Sequence, residues 1–210
     1  ALLRDRPAFR DCALTLGEAV AEVAEWWSKA MATPDGGAEV IVAVHEPRVA
    51  EVVNGLAGAT DFDAFDPVDR LIIAGVWERF ATQVKRPLVL DIHGPIDAAI
   101  GEAVEASEWE SVVVEPKQLH ETSTKDMIGQ MIGAGQRIGW SLDELGELRG
   151  IRGGEQAAVK LLNQWRQWSF PEEMLAESVD VVVPEGVRTK AQASEVAAAA
   201  RVAAYSLFRG

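Results

Sequence analysis

The chain has 210 residues, 48% apolar and 25% charged, with a formal net charge of −13 at neutral pH. This is ordinary globular composition, long enough to bury a sizeable core. No apolar run approaches the ~18 residues of a membrane span, so no membrane role is expected. The single cysteine, Cys12, leaves no internal disulfide to form.

Acids and arginines are scattered through the opening ALLRDRPAFRDCALTL, which is not the order of a secretory signal. A reducing cytoplasm is the expected compartment. The charge is unevenly placed. Residues 1–116 carry a balance of −12, residues 117–170 of +1, and residues 171–210 of −2. The first part would repel a nucleic-acid backbone, and only the middle segment would approach one.

In chain order, Leu16, Val20, Val23, Ala24 and Trp27 recur at helical spacing and predict a helix over 14–31. TPDGG at 33–37 is a turn. The β-branched run ending at His45 predicts a buried strand, and RVAEVVNGL beyond Pro47 predicts a helix ending near Gly58. DFDAFDP then makes a loop, with Asp66 as N-cap and Pro67 at the first helical position. The helix it opens runs to about Val84, with Leu71, Ile72, Val76, Phe80 and Val84 on one side.

A strand over 88–92, a helix over 96–106 and a strand over 111–115 follow. Segments 122–140, 141–150 and 154–170 read as three successive helices. The last elements are a strand over 179–183 and an alanine-rich helix over 189–208, whose small side chains permit close packing. The alternation predicts an α/β fold with about four mostly parallel strands, helices on both faces, and an inserted three-helix stretch. The expected division is an acidic α/β part, 1–121, a helical insertion, 122–170, and a closing strand and helix, 171–210.

Gly133-Ala-Gly135-Gln-Arg-Ile-Gly139 has the form GxGxxxG. A dinucleotide-binding loop needs a strand before it and a helix after it. Here Met127, Ile128, Met131 and Ile132 precede it at helical spacing, which argues for tight packing over phosphate binding. Trp140 to Ile151 fits another pattern better. Ser141 with Glu144 forms a capping box, Leu142, Leu145 and Leu148 would face inward, Gly150 would end the helix, and Ile151 would enter the core. Over about 22 residues this resembles the generic bacterial helix-turn-helix. Gln156 and the Gly153-Gly154-Glu155 start depart from that pattern, while Arg149, Arg152, Lys160 and Arg166 would offset Glu155 toward phosphates. Trp165 and Trp168, with Phe170 beyond, suit either a core or a partner surface.

The three histidines, His45, His93 and His120, lie near the C-terminal ends of predicted strands, the edge where parallel α/β sheets bind ligands. With Asp91, Glu46 and Glu115 nearby, they would suit a divalent metal if the strand ends converged. Asp91 followed by Glu115-Pro116-Lys117 resembles the PD-(D/E)xK nuclease superfamily. That resemblance implies acids holding magnesium and a lysine acting on water. There is no GxSxG nucleophile motif.

The leading expectation is a soluble intracellular interaction or regulatory protein without catalytic activity or a required cofactor. It would contact a protein partner, or another copy of itself, through Trp165, Trp168, Arg149, Arg152, Lys160 and Arg166. The alternatives are a metal-dependent hydrolase or nuclease using Asp91, Glu115, Lys117 and the histidines, and DNA binding through the helix-turn-helix-like segment.

Overall fold

The computed structural model describes residues 6–33, 39–55, 66–92, 96–107, 109–114, 122–142, 150–183 and 189–209. The chain divides into two compact units, one of Ala1–Ile92 with Ile96–Glu110, the other containing Ser111–Gly210. Both are α/β with parallel strands and flanking helices, as the alternating pattern predicts.

The first unit holds helix α1 (Arg6–Ala30), strand β1 (Val42–His45), the short helix α2 (Val49–Val53), helix α3 (Arg70–Val84), strand β2 (Leu88–Asp91) and helix α4 (Ala98–Glu105). β1 and β2 pair in parallel, with His45 opposite Asp91 at their C-terminal ends. Asp69 caps α3 by accepting from the Leu71 N–H at 2.8 Å, and Asp97 caps α4 by accepting from the Ile100 N–H at 2.9 Å. Ile73, Trp77, Phe80 and Val84 of α3 form the core with Leu88, Leu90, Ile100 and Val104. Trp77 and Trp109 meet edge to face at 5.6 Å.

The second unit holds β3 (Ser111–Val114), α5 (Thr122–Gly133), β4 (Arg137–Ser141), α6 (Gly150–Gln167), a 3-10 turn (Glu172–Met174), α7 (Leu175–Ser178), β5 (Val179–Val182) and α8 (Lys190–Arg209). β4 lies between β3 and β5, parallel to both. The arginine that starts β4 ties this part together. Arg137 donates from Nε and Nη2 to Asp180 Oδ1 at 2.9 and 2.7 Å, from Nη2 to the Val179 carbonyl at 3.0 Å, and from Nη1 to the Glu177 carbonyl. α6 and α8 pack closely because each is small at the contact. A Cβ on Gly154 would stand 2.7 Å from Val202 Cβ and against the Ala199 carbonyl oxygen. Ala199 and Ala203 are fully buried, in keeping with the close packing expected of the alanine-rich helix.

Segment 122–170 is not three successive helices. Its first helix stops at Gly133, and 137–141 is the strand β4, a fifth strand among the described residues where about four were expected. The stop is chemical. Gly135 adopts φ +86°, its N–H donates to the Ile132 carbonyl, and the Gln136 N–H donates to the Met131 carbonyl, both at 3.0 Å. These are the paired bonds of a Schellman ending, which a glycine in the left-handed region supplies. The five residues of β4 carry too short a pattern to announce a strand; pairing with β3 and β5 decides it.

Three further expectations are corrected. α3 begins at Arg70 with Asp69 as its cap, so Asp66 and Pro67 lie ahead of the helix. Leu71 and Ile72 are exposed, because the buried face of α3 runs through Ile73, Ala74, Trp77 and Phe80. On α1, Ala13, Gly17 and Ala24 are buried, while Leu16, Val23 and Trp27 face outward. α1 approaches α3 closely through Gly17, where a Cβ would meet Gln83 Cβ at 2.7 Å. The larger side chains of α1 cannot enter so narrow a contact.

Candidate functional site

Two sets of residues carry the chemistry expected from sequence, and the fold adds a third. The first is the strand edge. His45 and Asp91, 46 positions apart, end two paired strands, and His45 Nδ1 stands 3.1 Å from Asp91 Oδ2. A carboxylate on one ring nitrogen orients an imidazole. Next to it, the Glu46 N–H donates to the Asp91 carbonyl at 2.8 Å. Burial pushes the Glu46 carboxyl above its ordinary value, opposed in part by a hydrogen bond from the Trp77 side chain and by His45. In the same unit, Asp97 accepts from Asn54 Nδ2 at 3.3 Å as well as capping α4.

The edge therefore supplies one oriented imidazole and one half-buried acid, parts of a general acid–base arrangement. Among the described residues, no three His, Cys, Asp or Glu side chains converge in a group that would hold a metal. His93, His120, Glu115 and Lys117 lie outside the described residues.

The second set is the helical stretch. Trp165 and Trp168 are 1% and 6% exposed, so they form core instead of partner surface. Trp165 Nε1 donates to the Pro171 carbonyl at 2.9 Å. Its ring meets Phe170 at 5.0 Å, and Trp168 meets Trp140 at 5.6 Å. Of the cations, Arg152 and Lys160 are exposed on α6. Arg166 is paired with Glu172, Nε to Oε1 at 2.7 Å and Nη2 to Oε2 at 3.2 Å. Arg149 lies outside the described residues.

Of the expected helix-turn-helix, residues 150–154, read as its turn, belong to α6. The motif's capping serine, Ser141, is the last residue of β4, and Ile151, expected in the core, is 67% exposed on α6. Most of its first helix, at 143–149, falls outside the described residues.

The third set was missed in the sequence. α6 buries Ala158, Leu161 and Trp165 on one face but exposes Val159 on another. Beside Val159 lies a groove of about 250 Å³, lined by Ala158, Val159, Leu162, Leu175 and Leu207 together with Glu155, Glu172 and Ser206. Tyr205 and Phe208 of α8 are also exposed. On α1, the adjacent pair Trp26 and Trp27 is exposed, the rings 4.9 Å apart. Here a signal was present: neighbours on a helix point about 100° apart, so two consecutive tryptophans rarely share one buried face.

No protein-family model matches this chain, and a search of curated proteins finds no match.

Proposed function

We propose that this protein is a non-catalytic intracellular interaction protein that binds a protein partner through the helical stretch of its second unit. The observation that carries this reading is the apolar groove formed by α6, α7 and α8. At about 250 Å³ it falls below the ~300 Å³ where small-molecule sites begin. It suits one or two apolar side chains of a docking peptide or helix. Val159 of its lining is exposed, and exposed apolar surface is of the kind that marks interaction sites.

Val159→Glu places a charge at the groove without touching the core, since Val159 is more than half exposed. With the full chain as bait and cross-linking mass spectrometry as readout, a partner cross-linked to α6 or α8 in the wild type is expected to be lost in this variant. Unchanged capture by a folded Val159→Glu protein would refute the groove as the docking site.

One observation favours a second reading, that of a metal-dependent hydrolase or nuclease: the His45–Asp91 contact at the strand edge. Elemental mass spectrometry of the native protein tests it. A stoichiometric metal lost in His45→Ala supports it, and a metal-free native protein counts against it.

A further inference from the structure

The chain has two asparagines, Asn54 and Asn163. Asn163 lies within α6 and is followed by Gln164. Asn54 is the C-cap of α2 and is followed by Gly55. A glycine after an asparagine permits a reaction that needs no enzyme. Glycine has no Cβ to crowd its nitrogen and has the widest backbone freedom, so its nitrogen is the least hindered attacker of the neighbouring side-chain amide.

The surroundings leave this pair open to attack. Asn54 is exposed. Gly55 sits at φ +70°, and its N–H is held by a bond of 3.4 Å to the Val52 carbonyl, near the limit of hydrogen bonding. α2 has five residues, and a helix so short depends on packing, here through Val49 and Val53. Its last turn therefore opens more easily than the body of the 18-residue α6 that holds Asn163. Ring closure requires Asn54 to leave its ψ of 1°, and opening of that turn lets it do so.

We infer that Asn54 is a site of spontaneous deamidation, and that the carboxylate it becomes weakens the hold of α2 on α4. The Gly55 backbone nitrogen gives its proton to solvent and attacks Asn54 Cγ. The N–Cγ bond forms, the Cγ–Nδ2 bond breaks, and Nδ2 takes a proton from water and leaves as ammonia. Water then opens the cyclic imide. Opening at Cγ gives aspartate, and opening at the main-chain carbonyl gives isoaspartate, with the chain running through the former side chain. Nothing is oxidised or reduced, and water is the co-reactant.

The product alters a contact between two helices of the first unit. Asn54 Nδ2 donates to the Ala50 carbonyl at 2.8 Å and to Asp97 Oδ2 at 3.3 Å. The other oxygen of Asp97 accepts from the Ile100 N–H and caps α4. An ionised carboxylate has acceptors only, so both bonds from residue 54 are lost. Two carboxylates then stand where a donor met an acceptor, and like charges repel. The reaction runs one way, so this contact records the age of the molecule. It lies in the unit that does not contain the groove and is independent of the docking reading.

The full-length wild type, incubated in warm, mildly alkaline buffer, tests the inference by peptide mass spectrometry. The peptide carrying residue 54 is expected to gain the mass of an amide-to-acid exchange, faster as pH rises, while the Asn163 peptide does not. Asn54→Gln is expected to abolish the gain, because its longer side chain closes a less favourable ring. A protein whose residue 54 keeps its amide, or whose Asn163 is converted as fast, overturns the inference. Asn54→Asp reproduces the aspartate product, and its melting temperature is expected to fall by roughly 2–4 °C. That loss is expected to shrink in an Asp97→Asn background, where asparagine still caps α4. An Asn54→Asp protein as stable as wild type, or an equal loss in both backgrounds, overturns the effect on α4.

Discussion

Alanine substitution at each glycine of the 133–139 run separates a structural turn from a ligand loop. Gly133 is the last residue of α5, and a Cβ there meets nothing within 4 Å. Alanine at that position gains about 0.5 kcal/mol from helix propensity and reduced unfolded-state entropy. Gly135 is equally open but sits at φ +86°. The left-handed backbone costs a non-glycine residue about 1–2 kcal/mol, offset in part by the unfolded-state gain, so Gly135→Ala should lose about 1 kcal/mol. Gly135→Asn should recover part of that loss, because asparagine tolerates this region better.

Gly139 is tight instead of strained. Its Cβ would stand 2.9 Å from Val113 Cγ2 and 3.1 Å from Val182 Cγ2, side chains of the two strands that flank β4. Overpacking of this kind costs about 1–3 kcal/mol, and because both neighbours are held by strand pairing we expect about 2 kcal/mol. Urea unfolding followed by tryptophan fluorescence should therefore order the midpoints as Gly133→Ala, wild type, Gly135→Ala and Gly139→Ala, from highest to lowest, with unchanged slopes. Equal losses at Gly133 and Gly135, or an asparagine at 135 no better than alanine, would refute the Schellman account.

Three other outcomes follow from the contacts. Because burial raises the Glu46 pKa above 4.5, the folded chain binds more protons than the unfolded one between about pH 4.5 and that raised value. Stability from this group falls as pH rises through the window, so Glu46→Gln should flatten the pH profile and be no less stable than wild type at pH 7; a destabilised variant there would contradict the burial account. Arg137→Ala removes the bonds to Asp180 and to the Val179 and Glu177 carbonyls, with an expected cost of about 2 kcal/mol in denaturant. Arg137→Lys should recover less than half of it, since an ammonium cannot reproduce the fork. Gly154→Ala drives a methyl toward Val202 and the Ala199 carbonyl, and the loss should exceed the ~1 kcal/mol that alanine gains in a helix, lowering the melting temperature.

Period and punctuation settled much of this protein from sequence alone. The α/β class, the four strands ending near His45, Asp91, Val114 and Val182, and most helices were legible, because alternating runs and glycine or proline breaks are local signals. So was the absence of a strand ahead of Gly133, which removed the dinucleotide reading. The strand at Arg137–Ser141 was not legible, since five residues become a strand only between two partners that lie elsewhere in the chain.

Nor does spacing say which face of an apolar helix is buried. α1 is apolar around much of its circumference, and the choice between Gly17 and Leu16 as the inward residue rests on how closely α3 approaches. The same holds at the candidate sites. The sequence named His45 and Asp91, but only the register of two parallel strands put them 3.1 Å apart. It also named Trp165 and Trp168, and packing around Trp140 and Phe170 made them core, while exposed apolar side chains lie at Val159 and along α1. Residue chemistry limits what a side chain can do, and tertiary contacts decide whether it meets another side chain or the solvent.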